Sequence, residues 1–269
     1  MDRAWSAGFH WFDTGDAYGG GASERWIGRW RDDRKATGLV VTTKVFHSTT
    51  GVPGDIGLAP DRIRRQLEGS LSRLGVDRID LYLAHEPDPE TPLAATIETF
   101  ESLVAQKLIG AWGLSNYGAD GIRDALQSGR PRLVQNSYSL LDRRDEHDVL
   151  PLCAEHGIAY VPFSPLAGGW LTGKYRRDEP FPVGSRMTQR PGPYESYVDE
   201  RVFEGLDSLR AEAERRGIEM ATLALAWVLA RVDGAVCGPT RVEQLVPVLA
   251  SSRLELSADD VRAIGGFFG

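Results

Sequence analysis

Short apolar runs rich in β-branched and aromatic residues alternate with amphipathic stretches along almost the whole chain, and few folds accept that order. The runs fall near 9–13, 39–44, 79–85, 109–115, 133–138, 158–164 and 234–237. Between them, Asp61 to Leu74 carries Ile63, Leu67, Leu71 and Leu74 at steps of three and four, with Asp61 available near the N-terminus as a cap. Pro92 to Gln106 repeats the pattern through Ile97, Phe100, Leu103 and Val104. Asp145 to His156 stops at Gly157 and Arg201 to Arg216 stops at Gly217, glycines placed where helices commonly end. Strands that are apolar on both faces, separated by helices, belong to a parallel sheet covered on both sides.

The length suits one such architecture. A (β/α)8 TIM barrel takes about 250 residues, so residues 1–269 are expected to form a single α/β barrel domain. Seven strands are recognisable where a closed barrel has eight. Ala4, Trp5, Ala7 and then Gly8 read as the end of a helix running straight into a strand, so the missing unit is the first strand. Three explanations are open: something else supplies that strand, the start at Met1 truncates a longer protein, or the barrel stays open with an exposed edge. The Pro/Gly-rich stretch from Arg176 to Tyr197 is too long for an ordinary connection and reads as a functional loop or lid.

Composition narrows the function classes. A hydrophobic fraction of 42% supplies a large core, and a net charge of −7 argues against a general nucleic-acid binder. Cys153 and Cys237 lie far apart, and His10, His47, His147 and His156 show no metal-ligand spacing, so no metal site is expected. Met1 to Trp5 has no apolar leader, and Ala221 to Val232 is too short to span a bilayer, so a soluble cytoplasmic protein with no membrane partner is expected. Gly19-Gly20-Gly21 does not fit a GxGxxG phosphate cradle and reads as a flexible turn.

Polar residues end three successive runs. Asp13 closes the first, Lys44 the second and His85 the third, while Tyr18 follows in the turn-rich Thr14–Gly21 segment. In a parallel barrel the carboxyl ends of all strands share one rim, where catalytic groups gather from different strands. A phenol is too weak an acid to serve readily at neutral pH. An ammonium beside it favours the phenolate, and a carboxylate holds that ammonium charged and in place. Asp13, Lys44 and Tyr18 supply those parts, with Tyr18 as proton donor; His85 is placed to polarise a carbonyl oxygen or pass on the proton. With no evident nucleophile and no metal set, the group suits proton delivery to a carbonyl whose carbon accepts hydride, which calls for a nicotinamide. The plainer alternatives are a structural ion pair for Asp13 and Lys44, a packing aromatic for Tyr18 and a core histidine for His85.

At these residues the chain resembles the aldo-keto reductase family, most closely the branch with the potassium-channel beta subunits and bacterial sugar-ketone reductases. The family's Asp-Thr-Ala-x-x-Tyr-Gly is similar to Asp13 through Gly19, followed by a matching Ser23-Glu24 and Gly28. Thr43-Lys44, the segment Leu74 through Asp88, and Gly113-Leu114-Ser115-Asn116 match three further family motifs in order.

The resemblance implies a tetrad of Asp13, Tyr18, Lys44 and His85 and an NADP(H) cofactor. It implies nicotinamide contacts at Ser115, Asn116 and Gln135, with Tyr138 as a ring-stacking candidate. Ser164, Pro165, Leu166 and Gly168 resemble the phosphate-side loop, and Lys174 and Arg186 the diphosphate and 2′-phosphate contacts. For Arg186 a solvated loop position is the plain alternative. Gly238, Thr240 and Gln244 resemble the adenosine-end clamp; the family's following Glu-Asn is replaced here by Pro247 and Val248. The activity implied is reduction of an aldehyde or ketone, a keto-sugar among the candidates, with a small-molecule carbonyl as partner. The other function class is a non-catalytic NADP-binding regulatory or degenerate relative.

Overall fold

A computed structural model describes residues 1–269. Its contacts group the chain into two compact units, Met1–Asn136 with Asp148–Ala159, and Ser137–His147 with Tyr160–Gly269.

The first unit carries the strand–helix alternation. Its elements are α1 (Asp2–Ser6), β1 (Trp11–Asp13), α2 (Ala22–Arg34), β2 (Val40–Val45), α3 (Pro60–Leu74), β3 (Ile79–Ala84), α4 (Leu93–Ala105), β4 (Ile109–Ser115), α5 (Ala119–Ser128), β5 (Leu133–Gln135) and α6 (Val149–His156), with β6 (Ala159–Tyr160) beginning at its end. The strands lie in chain order from β1 to β6, and β1 to β5 pair in parallel. Register pairs Asp13 with Thr42, Lys44 with Leu83, Leu83 with Gly113, and Ser115 with Gln135. Parallel pairing brings every strand's carboxyl end to the same edge of the sheet, so the polar residues that end the runs become neighbours.

Burial explains the helix faces. On α3, Ile63, Leu67 and Leu74 are fully buried together with Arg62, Gln66 and Ser70, while Leu71 sits at the margin. On α4, Ile97, Phe100 and Leu103 are buried, and the Phe100 ring stacks on Trp112 of β4 at 5.7 Å. Each large apolar side chain removed from water in this way contributes roughly 1.5–3 kcal/mol. Gly28 lets α2 approach α3 closely, since a Cβ there would lie 2.6 Å from the Leu74 carbonyl oxygen. Asp61 does not cap α3: the N-cap is Ala59, with no side-chain bond, and Pro60 opens the helix with its preset φ. Asp61 stands in the first turn, where a carboxylate favours the helix dipole without bonding the backbone. Gly157 ends α6 in the left-handed region, as expected.

The second unit is mostly helical: α7 (Arg186–Gln189), α8 (Glu200–Arg216), α9 (Met220–Leu229), α10 (Leu245–Ser251) and α11 (Ala258–Gly265). Asp199 caps α8 and Gly217 ends it in the left-handed region. Helix α9 is buried nearly all round, and its Trp227 donates to the Val261 carbonyl at 2.9 Å.

Six strands form rather than seven. The expected run 158–164 shortens to Ala159–Tyr160 because Pro162 has no N–H to give the ladder. The run 133–138 ends at Gln135, beyond which Ser137 makes only an isolated bridge with Phe163. The segment 234–237 is not a strand. Its neighbourhood makes two backbone bonds to the stretch after β6, Asp233 N to Tyr160 O and Val236 N to Pro162 O, too few for a ladder. The 176–197 loop is partly ordered, holding α7 and a 3-10 turn over Gly192–Tyr197. No helix is long and apolar enough to cross a membrane.

Candidate active site

Asp13 is the last residue of β1 and Lys44 the fifth of β2. The Lys44 side chain is only 1% exposed, and a buried ammonium must be paired and hydrogen-bonded to stay charged. Its Nζ contacts Asp13 Oδ1 and donates to the Thr14 carbonyl at 2.7 Å. The other carboxylate oxygen, Asp13 Oδ2, accepts from Gln135 Nε2 at 2.9 Å. Three strand ends thus interlock through one carboxylate, which fixes the ammonium in position.

Tyr18 stands over that pair. Its amide donates to Gly15 O at 3.0 Å, closing a turn that sends the ring back toward β2. The Lys44 ammonium lies 5.2 Å from the ring centroid, and the Tyr18 hydroxyl lies 3.3 Å from His85 Nε2. The side chain is 42% exposed, so a small molecule can reach the hydroxyl from solvent.

His85 follows β3 directly. Its amide donates to Val45 O at 2.9 Å, and its carbonyl accepts from Asn116 Nδ2 at 2.9 Å. Burial, then the Lys44 charge, then His47 push its pKa down to about 3, so the imidazole is neutral at ordinary pH. Its Nδ1 is buried without a partner. The tautomer with the proton on Nε2 leaves an unpaired acceptor there rather than an unpaired donor, and aims an N–H at the Tyr18 oxygen.

Ser115 ends β4 fully buried, and Asn116 beyond it takes φ 64°, which turns its amide onto Ser115 Oγ and the His85 carbonyl. Asp13, Tyr18, Lys44, His85, Ser115, Asn116 and Gln135 are therefore joined by direct contacts in one unit. Two more neighbours join the site: His47, which the sequence places in the loop after Lys44 where it can face the pocket, and Glu86, which the sequence does not single out. His47 stacks edge-on against His85 at 4.8 Å, and its Nε2 lies 3.2 Å from Glu86 Oε1. Glu86 sits one position after His85, and that adjacency to a strand-end histidine is the only sequence signal for it.

The second unit holds the remaining expected positions. Ser164, Ala167, Gly168 and Gly169 all take positive φ around Pro165 and Leu166, a run of left-handed residues in a loop otherwise poor in side-chain bulk. Lys174 reaches back to Gly169 and lies 5.0 Å from the Tyr175 ring, and Tyr194 from the 176–197 loop packs on Gly168. Arg186 opens α7 and is exposed. Gly238 is exposed, while Thr240 donates to Gln244 Oε1 from its backbone N at 2.7 Å and from its Oγ1 at 3.2 Å, so the two residues form one knot. Pro247 is buried in α10. Tyr138 is not a stacking surface: it is fully buried, lies on Trp227 at 5.7 Å, and its hydroxyl is held by Glu146 and Arg231.

Known proteins are similar to this chain. The family model described as "Aldo/keto reductase family" matches residues 1–267. The NADH-specific methylglyoxal reductase of Escherichia coli is 34% identical over 96% of this chain and 83% of its own length. An NADP(+) aldo-keto reductase of Schizosaccharomyces pombe is 32% identical over 98% of this chain and 80% of its own. Among solved structures, a glycerol dehydrogenase from Gluconobacter oxydans superimposes with a TM-score of 0.89 at 28% identity, covering 99% of this chain and 83% of that one. The chain belongs to the aldo/keto reductase family.

Proposed function

We propose that this protein reduces a small aldehyde or ketone to the alcohol, taking hydride from a reduced nicotinamide dinucleotide, with Tyr18 as the proton donor. The observation that carries the reading is the Tyr18 hydroxyl 3.3 Å from a neutral His85, with the buried Lys44–Asp13 pair beneath its ring. When bound, the cofactor supplies the hydride that the carbonyl carbon accepts. Tyr18 gives its hydroxyl proton to the carbonyl oxygen, and the Nε2–H of His85 donates to that same oxygen as charge builds on it. Lys44 stabilises the phenolate left on Tyr18, while Asp13 and the Thr14 carbonyl keep the ammonium in place. A regulatory protein that merely binds the cofactor would not need these four groups in contact, so the enzyme reading is favoured.

The donor set fits the cofactor. Around Ser115, Asn116 and Gln135, amide groups crowd the tetrad, as an amide-bearing ring requires. In the second unit, Lys174 lies against Gly169 in a stretch where Ser164, Ala167, Gly168 and Gly169 are left-handed, and a cation beside such sparsely covered backbone suits a diphosphate. Arg186 is an exposed cation with the five-donor fork that suits a 2′-phosphate. We therefore favour NADPH over NADH, although the Escherichia coli relative uses NADH.

The test is purified protein with NADPH or NADH and a panel of small carbonyls, short α-oxo aldehydes and keto-sugars included. Oxidation of reduced cofactor is expected with at least one carbonyl, faster with NADPH. Tyr18→Phe is expected to lower turnover by about two orders of magnitude or more, the usual scale of general-acid assistance, while leaving cofactor binding within about threefold. Absence of cofactor oxidation with every carbonyl, or equal loss of turnover and binding in Tyr18→Phe, would refute the assignment.

A further inference from the structure

One buried acid plays no part in the proton transfer described above. Asp16 lies two residues before Tyr18, is 0% exposed, and neither of its carboxyl oxygens reaches a donor in hydrogen-bonding geometry. The groups that face it come from three elements: Glu24 of α2, Tyr82 of β3, and Arg62 and Arg73 of α3. Tyr82 is itself fully buried, and its hydroxyl has no partner. Neither arginine bonds Asp16. Arg73 Nε is held by Glu24 Oε2 at 2.6 Å, and Arg62 is spent on Asp55 and on the carbonyls of His47, Asp55 and Gly57. From β2, Lys44 offers only its carbonyl, which accepts the Asp16 amide at 3.2 Å; its ammonium is turned to Asp13.

The same turn carries Tyr18. The Thr14 carbonyl takes the Lys44 ammonium, the Gly15 carbonyl takes the Tyr18 amide, and a Cβ on Gly15 would lie 3.2 Å from the Tyr18 ring. The ring therefore rests on the backbone immediately preceding Asp16, in the same turn.

We propose that Asp16, kept as the neutral acid, is a positioning residue that pins the Thr14–Tyr18 turn against β2 and β3, and that its ionisation lifts the turn and takes the Tyr18 hydroxyl away from His85. The inference rests on the reading of Tyr18 as proton donor. A carboxylate buried beside another carboxylate and without a donor is costly enough to drive either proton uptake or movement toward water. Burial first, and the Glu24 charge second, raise the Asp16 pKa to about 7, against the weaker pull of the Ala17 amide, Arg62 and Arg73. The switch thus falls in the range where the enzyme would be assayed.

The experiment compares the parent chain with Asp16→Asn, a neutral isostere, and with Asp16→Leu as a second neutral side chain in case the amide folds poorly. Two readouts are taken between pH 6 and 8.5: kcat for a carbonyl that the parent reduces, and hydrogen exchange of the Tyr18 amide corrected for its intrinsic pH dependence. Parent kcat is expected to fall about thirtyfold, following the neutral fraction of one group titrating near 7. In the neutral variants it should fall less than about twofold over the same range. Protection of the Tyr18 amide should drop with pH in the parent only. A purely structural role would lower kcat equally at every pH. An alkaline limb shared by parent and variants, or an exchange rate that does not differ between them, overturns the proposal. Failure of every carbonyl to be reduced, with the exchange difference intact, would sink the reductase reading and still support the hold of Asp16 on the turn.

Discussion

Replacing Lys44 by Met removes the only cation that touches Asp13, and the structure sets the size of the penalty. The Lys44 side chain is 1% exposed and that of Asp13 14%, so the stranded carboxylate cannot simply hydrate. Breaking a buried pair from one side costs about 3–5 kcal/mol. Here Asp13 Oδ2 keeps its bond from Gln135, while Oδ1 and the Thr14 carbonyl both lose a donor. The lower end, about 3 kcal/mol, is therefore expected for Lys44→Met. Adding Asp13→Asn to Lys44→Met removes the stranded charge and keeps an acceptor for Gln135. The double variant should be more stable than Lys44→Met alone by at least about 1 kcal/mol. Urea unfolding of the parent, both single variants and the double variant closes the cycle without reference to activity, which all three variants should lack. A loss below about 1 kcal/mol for Lys44→Met, or a double variant no more stable than Lys44→Met, would show that the carboxylate is not held as described.

Further outcomes follow from other contacts. Gly28→Ala is expected to cost about 1–3 kcal/mol in unfolding free energy, because the new Cβ meets the backbone carbonyls of Leu74 and Arg73 at 2.6 and 2.8 Å, and this outweighs the gain in helix propensity. Asp16→Asn should alter the pH dependence of stability. The folded-state pKa of about 7 lies above the ordinary 3.8, so the parent is most stable below about pH 4 and loses about 4 kcal/mol as pH rises to 7, relative to the variant. The depressed pKa of His85 acts the opposite way, removing stability as pH falls below 6.5, but it is common to both proteins and cancels in their difference. Arg186→Ala is expected to weaken NADPH binding about tenfold or more while leaving NADH within about twofold, measured by fluorescence titration.

The convergence of Asp13, Lys44 and His85 was legible because each strand-like run ends where its apolar residues end. Asp13, Lys44 and His85 close those runs, and parallel pairing then makes neighbours of residues far apart in the chain. The strand count was less legible. Pro162 reads as part of an apolar run, yet it withholds the N–H a ladder needs, and the 234–237 segment makes too few backbone bonds to count as a strand. Tyr138 shows a different limit. Its place in a Gln-Asn-Ser-Tyr stretch resembles a ligand-facing position, but the acceptor that claims its hydroxyl, Glu146, and the donor, Arg231, come from segments 8 and 93 positions away.

The polar layer beneath the site was invisible for the same reason, and it matters most for function. Gln135 secures Asp13 across 122 positions, and Glu24 joins Thr43 and Arg73 across 19 and 49. Nothing in local periodicity announces such bonds, since each residue alone reads as an ordinary polar position near a strand end or on a helix. Once buried, however, every carboxylate must find a donor or a proton. Asp13 finds Lys44 and Gln135, Glu24 finds Thr43 and Arg73, and none of those donors bonds Asp16. Asp16, the third acid in this layer, is left to a proton. The two answered acids tie their strands and helices together through these bonds, whereas the unanswered one is the acid proposed to tie the position of the Tyr18 turn to the acidity of the solvent.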